Sequence, residues 1–142
     1  MEDAGHWFPL DQKSDYQIYY KEADWIKKMW DIVDSTLIKS IGIFNAFKNT
    51  KGAVRDHKLG RKSGFNLKVF PELLRHPSNC QIISRIDNTK KQFVNCENLR
   101  DSTITLAELF QAIIEFNGKW LEQERCLQLI NDYKRGMRWK RI

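Results

Sequence analysis

Lys48, Lys51, Arg55, Lys58, Arg61 and Lys62 crowd one stretch of the chain, residues 48–62, among Gly52 and Gly60, with Gly64 just beyond. Cations at short, irregular intervals suit a phosphate backbone. They neutralise phosphates and release condensed counterions, and glycine lets the main chain approach closely. A second cationic run closes the sequence: Lys134, Arg135, Arg138, Trp139, Lys140 and Arg141. There an indole sits between guanidinium and ammonium groups, a combination that can stack on an unpaired base while the cations hold phosphates. These twelve residues are the candidate nucleic-acid contacts. Neither run has a regular recognition pattern, so they point to a polyanion without separating DNA from RNA.

The charge is unevenly placed. Residues 39–68 carry +7 and residues 134–142 carry +5, in a chain whose formal net charge is +6, so the remainder carries −6. Concentrated charge makes a field that draws in an anionic partner. Two other readings of the same residues stand beside nucleic acid. One is a helical protein–protein adaptor, homodimeric through the Trp- and Tyr-rich first helix. The other is peripheral binding to an anionic membrane surface, disfavoured because the tail lacks a long apolar helical face.

Chemistry beyond binding finds little support. There is no Gly-x-Ser-x-Gly, no His-Glu-x-x-His and no Walker A loop. Gly60-Arg61-Lys62-Ser63-Gly64 resembles a phosphate loop only superficially, lacking the earlier glycine and the preceding apolar strand. His76-x3-Cys80 and Cys96, with His57 or His6, could be assembled into four ligands, but no two cysteines pair at the short spacing usual in structural zinc sites. The chain is therefore expected to be non-catalytic and to use no metal or cofactor. Cys80, Cys96 and Cys126 are odd in number and widely spaced, which suits reduced thiols in a nuclear or cytoplasmic protein. The acidic start has no apolar run, so neither a secretory signal nor a membrane span is expected.

The elements that must position these residues read as one α+β domain, predominantly helical. About four helices are expected, with a short antiparallel hairpin or small sheet in the middle of the chain. Residues 1–13 read as an extended arm. From Ser14 a helix is expected along Tyr19, Ala23, Ile26, Trp30, Val33 and Leu37, whose spacing defines one face. Asp34-Ser35-Thr36 offers a restart for a second helix carrying Ile41, Phe44 and Phe47, with Gly42 marking a break or a close approach. Residues 49–64 lack a period and read as a long mobile basic loop. Residues 65–70 alternate as a short strand would, and Pro71 opens a brief helix. Residues 80–86 and 92–96 form a hairpin across a polar turn. Thr105 and Glu108 fit a capping box at the head of a helix. A last helix runs from about Trp120 to Gly136, with the basic tail 134–142 at its end.

Overall fold

Ser14 opens the first helix, α1 (Asp15–Glu22), with a capping box. Its hydroxyl accepts from the Gln17 N–H, and the Gln17 side chain accepts from the Ser14 N–H. The computed structural model describes residues 14–90 and 101–141. The expected N-terminal arm and the hairpin arm at 92–96 lie outside the described residues. Within them the fold is α+β and predominantly helical, with seven α-helices around a two-stranded antiparallel sheet.

The long first helix is broken. It stops at Glu22, where the Asp24 carboxylate accepts from the Trp25 N–H at 2.7 Å and competes with a further helical turn. A 3₁₀ turn (Lys27–Asp31) and then α2 (Thr36–Ile41) follow. The Asp34 carboxylate holds both the Thr36 N–H and its hydroxyl, so the restart falls where the sequence places it. The break lets one apolar stripe serve two cores. Tyr19 and Ala23 join the main cluster, whereas Trp25 and Met29 pack with Cys80 and Trp120 in a second. Trp30, expected inward, is 44% exposed.

Gly42 ends α2 at φ 74°, a left-handed conformation that glycine adopts without steric cost. The chain then makes a tight turn and enters β1 (Ala53–His57), inside the stretch expected to be a mobile loop. β1 pairs antiparallel with β2 (Cys80–Ser84), in a register that sets Arg55 opposite Ile82 and His57 opposite Cys80. So β2 is found at its expected place, with a partner from upstream. The expected polar turn after it begins as α5 (Arg85–Lys90).

Residues 65–70 are not a strand. They complete α3 (Arg61–Asn66) and make a turn in which Lys68 takes φ 54°. Three successive carbonyls of that turn are claimed by distant groups. The Tyr133 hydroxyl donates to Leu67 O at 2.9 Å, the Trp139 N–H to Lys68 O at 2.9 Å, and the Tyr19 hydroxyl to Val69 O at 2.6 Å. These bonds, rather than local alternation, fix the segment. α4 (Pro71–Leu74) carries its proline at the first position, as expected.

α6 (Leu106–Glu115) has the expected Thr105–Glu108 capping box, and α7 (Gln123–Lys134) ends in a Schellman motif. There the Met137 N–H donates to Asp132 O and the Gly136 N–H to Tyr133 O, both at 3.0 Å, with Gly136 at φ 99°. Leu109, Phe110, Ile113, Cys126, Leu129 and Ile130 from these helices close the main core over Leu59, Val69, Leu73 and Leu74. No helix among the described residues is long and apolar enough to cross a membrane.

Candidate functional site

α1 and α3 lie side by side and antiparallel. Tyr16, early in α1, meets Phe65 near the end of α3, with ring centroids 5.1 Å apart. Tyr20, near the end of α1, lies under the Arg61 guanidinium at 3.4 Å from its centroid. Tyr16 and Tyr20, four residues apart, share one helical face at 5.6 Å between centroids. Beside this pair opens a cleft of about 240 Å³, lined by the two tyrosines and by Arg55, Asp56, His57, Gly60, Arg61, Lys62, Asn88 and Asp101.

The cations of the cleft are held in place. Arg55 and Arg61 share the Asp24 carboxylate at 3.6 and 3.5 Å, and Arg61 also donates to Tyr20 O at 3.3 Å. Lys62 is exposed, and among the described residues it makes no ion pair. On the floor, His57 is buried and donates its Nε2–H to Ala23 O at 2.7 Å. Burial, and then the charge of Arg61, hold its pKa at about 4. The ring is therefore neutral near pH 7 and serves as a structural donor.

The start of α3 explains why the resemblance to a phosphate loop is misleading. Gly60 precedes the helix and has no side chain to cap it. Asp101 does so from across the fold. Its carboxylate accepts from the N–H groups of Lys62 and Ser63, at 3.0 and 3.4 Å, and from the Ser63 hydroxyl. The amides that would cradle a phosphate already hold an internal carboxylate.

The C-terminal run reaches the other end of the same helix pair. Trp139 is half-buried, edge-on to Tyr19 at 5.1 Å and to Phe65 at 6.1 Å. Its indole anchors the tail to the core, where stacking on a base was expected of it. Arg141 pairs with Asp15 at 3.6 Å, and Arg138 lies over the Tyr133 ring at 3.7 Å. Lys134, Arg135 and Lys140 are exposed. Lys68 adds a cation that the candidate set omits, its Nζ 3.3 Å from the Phe65 centroid.

The loop and the tail thus dock at opposite ends of α1, which is about 12 Å long at 1.5 Å per residue. Arg61 meets its C-terminal end and Arg141 its first residue. Lys48 and Lys51 stand apart, exposed on the turn before β1, and Lys58 is half-exposed just after the strand. Tyr16, Tyr20 and Asp101 are absent from the candidate set. The four-residue spacing of the tyrosines was a usable signal, whereas nothing local marks Asp101.

Cys80 and Cys126 are buried free thiols, and burial pushes both pKa values up, that of Cys126 to about 12. His76 is buried too. Its Nδ1 accepts from the Ser78 N–H at 2.9 Å and its Nε2–H donates to Gln123 Oε1 at 2.6 Å. Among the described residues no three His, Cys, Asp or Glu side chains cluster as metal ligands would. No protein-family model, curated protein or solved structure matches the chain.

Proposed function

We propose that this protein binds nucleic acid without catalysing a reaction on it, in the nucleus or the cytoplasm. One observation carries the reading above others: the basic loop and the basic tail dock on the same short helix, Arg61 at one end and Arg141 at the other. Lys62 follows Arg61 and Lys140 precedes Arg141, both exposed, and Lys68 lies 3.3 Å from the Phe65 centroid near the end of α3. Asp24 and Asp15 offset Arg55, Arg61 and Arg141 in part. The binding energy is therefore assigned mainly to Lys58, Lys62, Lys134, Arg135, Arg138 and Lys140, which make no ion pair among the described residues. Trp139 contributes by holding the tail against the core.

The test is an anisotropy titration with labelled random-sequence DNA and RNA at several salt concentrations. Engagement of about four phosphates predicts a slope of roughly −3 to −4 in log affinity against log salt. Lys62→Glu together with Lys140→Glu should weaken binding at least about tenfold and flatten that slope, with the fold intact because both side chains are exposed. Absent binding, or affinity insensitive to salt, overturns the reading.

A further inference from the structure

A second surface of the molecule has a different character. We propose that the groove bounded by Trp30, Ile38, Ile43, Phe44, Val54 and Ile82 docks a short peptide segment of a partner protein, one with apolar anchors flanked by Asp or Glu. The groove holds about 420 Å³, and among the described residues Arg55 is the one charged residue that lines it. Trp30 is 44% exposed and Ile43 65%, and beyond the groove Phe47 stands 96% exposed. Contiguous exposed apolar surface of this kind is characteristic of interaction sites.

The turn beside the groove is rigid. Asn45 Oδ1 accepts from the N–H groups of both Phe47 and Lys48 at 2.9 Å. The Asn49 side-chain amide donates to Ile41 O at 2.9 Å and to Ile43 O at 3.1 Å. The Phe44 N–H donates to Ala53 O at 2.9 Å, tying the turn to β1. A site already ordered spends little conformational entropy when it is filled.

Charge selects the occupant. Arg55 lines the groove while sharing Asp24 at 3.6 Å, Arg85 lies 5.3 Å from the Phe44 ring centroid, and no carboxylate among the described residues lines the groove. Two arginines beside an apolar groove complement acidic groups next to apolar anchors. They oppose a second copy of the chain, because a twofold contact through this patch would set the same cations against each other. Four of the groove's six named walls, Ile38, Ile43, Val54 and Ile82, are aliphatic and offer no ring for a base to stack on. The proposal shares Arg55 with the nucleic-acid reading and otherwise stands on an apolar groove that the reading does not use.

The probe is a random 12-residue peptide library displayed on phage, panned against the full chain, with enriched peptides then synthesised and titrated. Enriched sequences should combine Leu, Phe or Trp with Asp or Glu. Ile43→Asp should weaken them at least about thirtyfold, the scale of an interface hot spot, and Phe47→Ala about tenfold. The exposed Phe47→Ala variant should keep the wild-type urea midpoint, so a loss of peptide binding there reports the surface and not the fold. The proposal is overturned by no enrichment, by enriched peptides without acids, by affinity unchanged in both variants, or by a wild-type dimer that Ile43→Asp dissociates. A fall in single-stranded oligonucleotide affinity on Phe47→Ala with peptide affinity unchanged also overturns it, and assigns the surface to base stacking.

Discussion

His57 gives the clearest residue-level consequence. Its pKa is about 4 in the folded chain against an ordinary value of 6.5, so between those values the unfolded chain binds a proton that the folded chain refuses. Stability from this group is complete above pH 6.5 and is lost as pH falls toward 4. The loss should reach roughly 2–3 kcal/mol by pH 4.5. Burial lowers the pKa of His76 as well, which adds in the same direction. Urea unfolding at pH 7.5 and 4.5 checks this, and His57→Gln should flatten the dependence. Little of it was legible beforehand. The position of His76 at a helix end could be read from the proline after it, but the partner of His57 is a carbonyl 34 residues away. The neighbours of Trp139 are hidden for the same reason, because Tyr19 and Phe65 are remote in sequence.

At the scale of elements, the ends that carry their own caps were readable and the ends capped from afar were not. Ser14 and Gln17 open α1, Thr105 and Glu108 open α6, and Gly136 closes α7, each through bonds within a few residues. α3 and β1 have no such marks. β1 holds Arg55, Asp56 and His57, a run too polar to suggest a strand. Its side chains are satisfied by Asp24, by Gln81 at 2.8 Å and by Ala23 O. α3 depends on Asp101, and Asp101→Ala should destabilise the protein by roughly 1–2 kcal/mol, as loss of a cap does. A thermal melt measures that loss. Gly60→Ala should also destabilise, since a methyl group there would collide with the same carboxylate. The sheet was foreseeable only in part, because β2 showed its β-branched run but not the identity of its partner.

At the scale of the whole molecule, Arg75 joins three helices. It donates from Nε to Glu122 Oε1 at 2.9 Å and from Nη2 to Oε2 at 2.5 Å, tying the end of α4 to the start of α7. Its Nη1 reaches Glu22 O at the end of α1 at 2.8 Å. The pair is half-buried, with side chains 20% and 17% exposed, so solvent screens it only partly. A double-mutant cycle of Arg75→Ala and Glu122→Ala should give a coupling of about 1–3 kcal/mol in denaturant unfolding. Hydrophobic spacing and cap signals indicated the mixed, mostly helical architecture, but no spacing rule joins Arg75 to Glu122 across 47 residues. The turn at 67–69 carries a similar consequence for how the chain could vary. Its three adjacent peptide oxygens answer to a phenol from each end of the sequence and to the backbone of the tail. One residue added or removed there would put all three attachments out of step at once. In a lineage of such chains, length changes should accumulate in other connections and spare this one.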